Sequence, residues 1–520
     1  MEHTDLSALL VEAAAEVPER RALVESEGRS LTWADLEDEV GRVATGLSDR
    51  GVRAGQRVML AMGNRIEFVT AYLAVLRAQA VAVPVNPRST AGEVARMLAD
   101  SGSVVVIADA GAAGTVRAAL REQLGGDVAS PVGGVVVAVV GTDPEGDELA
   151  FDDLRADVVR PVPPLPDPEK LAALLYTSGT SGLPRAAMLT HRAMLANIEQ
   201  VAAVEPPMMH GDDVVLGVLP LFHVYGLNAV LGGVLRNRSR LVLVDRFEPQ
   251  AVLDLIDDEA CSVVPVAPPV FAHWLPDEHL RERLGPVRLV LSGSAPLEAE
   301  VVEEFTARAD VPVHQGYGLT EASPVVTSTL CSTSHQPGSV GAALPGIDVR
   351  LLDEVGRPVE GEDPGEIWIR GDNLFSGYWP DSADGPDDEG WWATGDVGFL
   401  DPSGDLFLVD RVKELVIVSG FNVYPTEVED VIREVDGVAD AAVIGAPDPE
   451  TGEAVVAYVV AARPMTHLEE AVRAHAAVRL ARFKQPTRIE VVDELPLTVT
   501  GKVRKGHLRR MERRRATELL

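Results

Sequence analysis

Short apolar runs alternate with amphipathic helical segments in the first part of the chain, and this alternation restricts the possible folds more than any other feature. In residues 33–51, Leu36, Val40 and Leu47 recur at helical spacing, and Gly51 supplies a stop. A second helical segment lies at 66–77, and runs of strand length lie at 57–61, 81–85, 104–108 and 135–140. Strands that alternate with helices predict an open α/β sheet with helices on its faces.

The rest of the chain predicts a second sheet and further domains. Runs at 241–244 and 263–266 indicate the second sheet, whereas 365–371 alternates apolar and polar residues, as in the short antiparallel strands of a small barrel subdomain. A compact α+β unit is expected last, with strands at 415–418, 441–444 and 454–460 and a helix at 427–434. Because 520 residues exceed the size of one core, we expect two or more domains, and PVPPLPDP at 161–168 indicates a stiff linker.

Composition limits the partners and the compartment. The formal net charge of -34 argues against nucleic acid or an anionic membrane as a general partner. The basic run 502–515 is the exception, and most of it fits a solvated terminal helix. Cys261 and Cys331 lie near no metal or CxxC pattern, so we expect a reducing cytoplasm. The chain shows neither a signal-peptide pattern nor a long uninterrupted apolar stretch, so no membrane-spanning segment is expected.

A cluster of small hydroxyl residues and glycines follows the apolar run 171–175. Such a loop offers backbone N–H groups and rotatable O–H donors to a polyphosphate, and Arg185 adds a cation. A solvated linker is the alternative, although a linker would not normally separate a buried strand from the helix predicted from residue 186 to 197. Neither GxxxxGK[ST] nor GxGxxG is present. The residues expected to bind phosphate are Thr177, Ser178, Gly179, Thr180, Ser181 and Gly182.

The sequence QGYGLTE forms a second strong motif. Gly316 and Gly318 flank Tyr317 and leave its ring free to stack on a base. Thr320 and Glu321 add a hydroxyl and a carboxylate, and Mg²⁺ prefers such oxygen ligands together with substrate phosphates. An ordinary glycine-rich turn with a surface glutamate is the alternative interpretation.

Other residues fit nucleotide and acyl chemistry less specifically. Asp396 suits a ribose diol, because a carboxylate can accept both hydroxyl protons. His223 lies at a strand end, where packing is the more common role. Lys502 follows a glycine near the end of the chain, where a mobile domain can insert its charge into a site and withdraw it. A tight turn that lets a flat ring approach the backbone comprises Gly293, Ser294, Ala295 and Pro296.

The stretch YTSGTSGLPRAAMLTH, which begins at Tyr176, resembles the signature loop of the adenylate-forming enzymes. These enzymes include acyl-CoA synthetases, beetle luciferases and peptide-synthetase adenylation domains. At least six motifs follow the family order across nearly the whole chain. The resemblance implies that Tyr317 stacks on the adenine, that Thr320 contacts the α-phosphate and that Glu321 holds Mg²⁺.

The resemblance also implies roles for residues whose pattern alone is uninformative. Asp396 and Arg411 would contact the ribose, Lys413 would be a hinge, and Lys502 would be the catalytic lysine. Residues 1–410 would form an AMP- and acyl-binding domain, and 411–520 would form a mobile domain that carries this lysine. The residues implied in acyl and CoA binding are His223, Gly293, Ser419, Gly420 and Phe421.

Together these features predict a ligase that uses ATP, Mg²⁺ and coenzyme A. A homodimer is a possible assembly of this ligase. It would convert a medium- to long-chain fatty acid to acyl-AMP, release pyrophosphate and transfer the acyl group to the CoA thiol. Lys502, Mg²⁺ at Glu321 and the loop from Thr177 to Thr180 would stabilise the charge that develops in the first step, and Arg185 would hold the β/γ-phosphate.

Three alternatives remain open. They are a ligase that loads a carrier-protein thiol, a luciferase-like oxygenase, and a non-catalytic acyl or nucleotide sensor. Arg185 and Ala186 motivate the sensor, because the family usually has lysine and glycine there and arginine is not a neutral replacement for lysine around phosphates.

Overall fold

The computed structural model describes most of the chain. The residues outside its description are 1–3, 27, 124–134, 164, 179–183, 295–296, 298, 335, 354–355, 360–364, 412–415, 424, 464, 497–502, 504, 506–507, 510, 513–514 and 516–520.

Helices occur in both the long N-terminal part and the C-terminal part. They are α1 (Ala8–Glu16), α2 (Trp33–Asp49), α3 (Ile66–Arg77), α4 (Ala91–Ser101), α5 (Ala110–Gln123), α6 (His191–Ala202), α7 (Gly233–Asn237), α8 (Pro249–Asp258), α9 (Pro269–Trp274), α10 (Leu280–Arg283), α11 (Ala299–Ala309), α12 (Pro425–Arg433) and α13 (Leu468–Arg479). Short 3₁₀-helices cover Phe151–Leu154, Thr320–Ala322, Thr329–Cys331 and Arg482–Lys484, and a π-helix covers Tyr225–Gly232.

The strands form four sheets. They are β1 (Arg21–Glu25), β2 (Ser30–Thr32), β3 (Arg57–Ala61), β4 (Val81–Pro84), β5 (Val105–Asp109), β6 (Val136–Val140), β7 (Leu149–Ala150), β8 (Leu171–Ser178), β9 (Pro184–Thr190), β10 (Val214–Gly217), β11 (Arg240–Leu243), β12 (Val263–Val266), β13 (Leu289–Ser292), β14 (Val313–Gly318), β15 (Val325–Ser328), β16 (Ala342–Ala343), β17 (Asp348–Leu352), β18 (Gly365–Arg370), β19 (Trp391–Leu400), β20 (Leu406–Arg411), β21 (Val416–Val418), β22 (Phe421–Val423), β23 (Val438–Asp448), β24 (Gly452–Ala461) and β25 (Arg488–Val492).

Two large sheets form the N-terminal part. The described strands of the first sheet follow the order β7-β6-β5-β3-β4-β8-β9, and those of the second follow β16-β15-β14-β13-β12-β10-β11-β1-β2. Most neighbours are parallel, and antiparallel pairs lie at the edges, such as β8 with β9 and β14 with β15. α3 is buried along most of its length and contacts strands of both sheets, because its apolar residues cover nearly the whole helix surface. The predicted α/β architecture is confirmed.

One predicted helix begins later than the sequence suggested. Residues 186–190 belong to β9, which pairs with β8 in an antiparallel hairpin, and α6 begins only at His191. Ala186, Ala187 and Leu189 are almost completely buried against the sheet, so tertiary packing outweighs their helix propensity. The side chain of Thr190 then caps α6 by accepting a hydrogen bond from the Ala193 N–H. The hairpin also places Thr177 and Ser178 at the end of a strand, where a loop had been predicted.

Two antiparallel or mixed sheets follow. The strands β17 to β20 form a four-stranded antiparallel sheet, which agrees with the predicted small subdomain. The C-terminal unit has the described strand order β22-β21-β24-β23, with β25 on β24, and α12 and α13 pack against it. This small α+β unit was expected. Its boundary at residue 411 stays a prediction. None of the described helices is both long and apolar enough to cross a membrane.

Candidate active site

A cavity opens at the carboxyl ends of β12, β13 and β14, where ligands bind in open α/β sheets. It has a volume of about 140 Å³. The predicted site residues that line it are Thr177, His223, Gly293, Ser294, Gly316, Tyr317, Gly318, Thr320, Glu321 and Gly420. The structure therefore brings together parts of five predicted motifs, including one from the C-terminal unit.

Tyr317 and Asp396 form a buried pair at one side of this cavity. The Tyr317 hydroxyl donates a hydrogen bond to Asp396 Oδ2 at 2.6 Å, and both side chains are less than a tenth exposed. The two neighbouring glycines have a different role from the one predicted. A Cβ at Gly316 would lie 2.6 Å from the Thr327 carbonyl oxygen, and one at Gly318 would lie 2.4 Å from the carbonyl oxygen of Pro324, directly before β15. They are glycines because β15 passes close by, so freedom of the tyrosine ring does not explain them.

Glu321 is held in the cavity wall by residues that the sequence analysis missed. Its Oε1 accepts a hydrogen bond of 2.5 Å from the Tyr378 hydroxyl. The guanidinium of Arg185 lies over the Tyr378 ring at 3.9 Å from the centroid and pairs with Asp384 Oδ2 at 2.7 Å. Tyr378 therefore contacts both Glu321 and Arg185, and Asp384 holds the guanidinium of Arg185 over the tyrosine ring. Neither partner carries a motif in the sequence, and both lie some 200 residues after Arg185.

Glu321 fits a magnesium ion that arrives with a polyphosphate. The described residues contain no group of three or more His, Cys, Asp or Glu side chains that is arranged to hold a metal. Mg²⁺, however, usually binds through one or two carboxylates together with substrate phosphates and water. A single buried carboxylate beside the Thr320 hydroxyl satisfies this requirement.

His223 and Tyr225 shape the opposite side of the cavity. His223 Nδ1 accepts a hydrogen bond from the Tyr225 N–H at 3.4 Å, and burial lowers the pKa of His223 to about 4. His223 is half-buried and lines the cavity. A Cβ at Gly293 would lie 2.7 Å from the Tyr225 ring, so only glycine lets this ring lie against the turn after β13. Burial also raises the pKa of Tyr225, and both side chains are therefore neutral near pH 7.

The low pKa of His223 predicts a pH-dependent stability. Between pH 6.5 and about 4, the imidazole is protonated in the unfolded chain and neutral in the folded one, so the free energy of unfolding falls as the pH falls. Above pH 6.5 the stabilisation that comes from the neutral His223 is fully present. Between the two pKa values the free energy of unfolding falls by at most about 1.4 kcal/mol for each pH unit. Urea unfolding of the wild type and of His223→Gln at pH 7.5 and 5 measures it. We expect the wild type to lose more stability than the variant, and parallel losses would contradict this interpretation.

The C-terminal unit reaches the cavity through the turn between β21 and β22. Ser419 and Gly420 have positive φ angles of 51° and 80°, and Gly420 lines the cavity. A Cβ at Gly420 would lie 3.7 Å from the Cβ atoms of Ala267 and Ser294. Phe421 stacks on Phe222 with the ring centroids 6.1 Å apart. The structure thus places the predicted CoA-binding residues beside the predicted nucleotide site.

Several predicted residues lie outside the described part of the chain, and their roles stay predictions. They are Gly179, Thr180, Ser181, Gly182, Ala295, Pro296, Lys413 and Lys502, together with the side chains of Ser178 and Arg411.

Comparison with known proteins gives consistent matches over the whole chain. The family models for "AMP-binding enzyme" and "AMP-binding enzyme C-terminal domain" match residues 10–379 and 427–502. Among curated relatives, 4-coumarate–CoA ligase 5 from Oryza sativa subsp. japonica is 32% identical, with 98% of this chain and 94% of the relative covered. A long-chain-fatty-acid–CoA ligase from Yersinia pestis is 34% identical, with 93% and 90% covered.

Two solved structures show the same architecture. A double mutant of o-succinylbenzoate CoA synthetase (MenE) from Bacillus subtilis, bound with its product analogue OSB-NCoA, has a TM-score of 0.84 at 28% identity, with 96% of this chain and 98% of that chain covered. ATP-bound MatB from Rhodopseudomonas palustris has a TM-score of 0.72 at 32% identity, with 98% and 99% covered. The predicted resemblance is confirmed, and the chain belongs to the AMP-binding enzyme family of adenylate-forming enzymes.

Proposed function

We propose that this AMP-forming acid–thiol ligase activates a carboxylic acid about the size of one aromatic ring and transfers its acyl group to coenzyme A. The limited space carries the proposal. The whole cavity, including the part lined by Tyr317 and Thr320, has a volume of about 140 Å³, and an engineered protein cavity of ~150 Å³ holds one benzene, so the apolar end has room for about one ring. Val201, Met208, Met209 and Ala229 close the cavity at its apolar end. A medium- to long-chain acid, as predicted from the sequence, would need this wall to move.

The first half-reaction joins two anions, so the site must stabilise negative charge. The acid's carboxylate oxygen attacks the α-phosphorus of ATP, the bond from that phosphorus to the bridging oxygen breaks, and pyrophosphate leaves. We assign the binding of phosphate oxygens to the Thr320 hydroxyl and Arg185, and the positioning of the adenine and ribose to the hydrogen-bonded pair Tyr317 and Asp396. Mg²⁺ held at Glu321 would neutralise phosphate charge when bound.

The second half-reaction needs a thiol at the acyl carbon. The sulfur attacks this carbon, AMP leaves, and the thiol proton is lost to solvent. Gly420 supports CoA as the acceptor, because a residue without a side chain leaves room beside Ser294 for a thin chain. The relatives that act as CoA ligases also support it. We propose that residues 411–520 turn about Lys413 between the two steps, so that Lys502 and Gly420 act in succession.

An acid panel tests the proposed function. ATP–pyrophosphate exchange should be driven by ring acids such as benzoate, cinnamate and 4-coumarate, and weakly by palmitate. Thioester formation should then follow with CoA and not with a carrier-protein thiol or a free amine. Fastest exchange with palmitate would restore the fatty-acid prediction. If no acid of a broad panel drives ATP–pyrophosphate exchange, a non-catalytic sensor is favoured.

Met209 should limit the length of the acid. Its side chain lies between the active-site cavity and a small cavity behind it, lined by Ile198 and Asn228. Met209→Ala joins the two spaces, so we expect the ratio of kcat/KM for octanoate over benzoate to rise roughly tenfold. Met59→Ala is the control, because Met59 is also buried but packs in the core of the first sheet. An unchanged ratio in Met209→Ala would contradict this boundary.

A further inference from the structure

A buried lysine joins the C-terminal unit to the N-terminal part. Lys484 Nζ lies 3.0 Å from Glu93 Oε1 and 2.9 Å from Glu427 Oε1. Glu93 belongs to α4 in the first-sheet region, whereas Glu427 belongs to α12 beside Lys484 in the C-terminal unit. All three residues are less than a tenth exposed. Since charged side chains are rarely buried unless they are paired, each carboxylate depends on this ammonium.

Glu93 is fixed on its own side of the contact. Its Oε2 accepts hydrogen bonds from the Thr90 N–H at 2.8 Å and from the Thr90 hydroxyl at 3.0 Å, which caps α4. Burial acts to raise the pKa of Glu93, but Lys484 and these hydrogen bonds outweigh burial and lower it. Burial raises the pKa of Glu427. The carboxylate across the contact therefore holds its charge more firmly than the one within the unit.

An aromatic chain connects Lys484 to the active site. Phe483 contacts Phe421 with the ring centroids 4.7 Å apart, and Phe421 in turn stacks on Phe222. Phe421 directly follows Gly420, which lines the active-site cavity. A second cavity of about 130 Å³ adjoins Lys484, Glu93 and these rings, and it shares Thr177, His223 and Thr320 with the first. The ion pair thus lies at the same contact that brings Gly420 to the reaction centre.

We propose that the Lys484–Glu93–Glu427 cluster is a latch that holds the C-terminal unit with Gly420 in the active site, which makes Lys484 and Glu93 positioning residues for acyl transfer to the thiol. This inference rests on the proposed two-step function. The latch opens when the unit turns for the first step.

Glu93→Gln tests the latch with little risk to folding, since a glutamine oxygen can still cap α4. We expect unchanged ATP–pyrophosphate exchange and about tenfold slower thioester formation from isolated acyl-adenylate, with KM for CoA unchanged. Lys484→Met should give the same separation, and the double variant should lose no more than either single one, because both remove one interaction. The proposal would be overturned if these variants slowed both half-reactions equally or slowed neither of them.

An ion pair inside the C-terminal unit provides the control. Lys505 Nζ lies 2.7 Å from Glu429 Oε1, and neither residue contacts the N-terminal part through this pair. Glu429→Gln should therefore slow the two half-reactions alike, or neither. A merely structural role for Lys484 would produce the same pattern in Lys484→Met.

A distance measurement tests the latch without using activity. Spin labels at Val158→Cys and Val478→Cys, both three-quarters exposed, report the separation of the two parts once Cys331 is replaced by serine. Glu93→Gln should broaden or shift the distance distribution of the free protein, and an unchanged distribution would overturn the latch. Failure of the wild type to form any acyl-adenylate or thioester would instead refute the proposed function, so the two failures are distinguishable.

Discussion

Lys502→Ala should slow acyl-adenylate formation by about 100- to 1,000-fold, the cost of removing one group that stabilises charge in a transition state. The reason is that the carboxylate and the triphosphate repel each other, and the proposed role of Lys502 is to place a cation where they meet. ATP–pyrophosphate exchange measures the loss. Thioester formation from preformed acyl-adenylate should remain near the wild-type rate, because the lysine is not needed once pyrophosphate has left.

The comparison of the two half-reactions makes this result specific. Lys502→Arg keeps the positive charge but not the shape of the ammonium, so it should recover part of the exchange activity. If Lys502→Ala slows both half-reactions equally, the lysine acts in binding or folding, and the role assigned to it is wrong.

Gly420→Val should have the opposite effect to Lys502→Ala, because it should slow thioester formation and spare adenylate formation. The φ angle of 80° at Gly420 suits glycine, and valine is strained there by roughly 1–3 kcal/mol. Its branches would also extend toward Ala267 and Ser294. The strained turn should leave the cavity, so we expect thioester formation to slow about 10- to 100-fold. Adenylate formation should be retained, since the proposed first step uses another arrangement of this unit.

Gly404 provides a control for strain alone. It has a φ angle of 88° in the turn before β20, and a Cβ there would meet no atom within 4 Å. Gly404→Val carries the same backbone penalty without approaching the active site. A comparable loss of thioester formation in Gly404→Val would show that the effect of Gly420→Val comes from general destabilisation.

The sequence predicts the architecture well because local signals and burial agree there. The predicted helix over 66–77 coincides with α3, and the alternation of strands and helices confirms the α/β class. The prediction failed at Ala186 to Thr190, whose small and apolar residues suit a helix equally well. Only pairing with β8, which the sequence does not display, makes them a strand.

The site residues likewise fall into those that the sequence predicts and those that it does not. Residues within one motif, such as Tyr317 and Glu321, are found from the sequence because their neighbours in the chain are also their neighbours in the cavity. Contacts between residues that lie far apart in the sequence are not found from the sequence. Nothing near Arg185 indicates Tyr378 or Asp384, and nothing near Lys484 indicates a carboxylate 391 positions earlier.

The cavity draws its walls unequally from the two parts of the chain. The apolar end formed by Val201, Met208, Met209 and Ala229 belongs entirely to the N-terminal part, whereas the C-terminal unit contributes Gly420. Selection on the acid and selection on the acceptor can therefore proceed on separate genetic segments. A chimera that exchanges only the last hundred or so residues should take its specificity for the acid from one parent and its specificity for the acyl acceptor from the other.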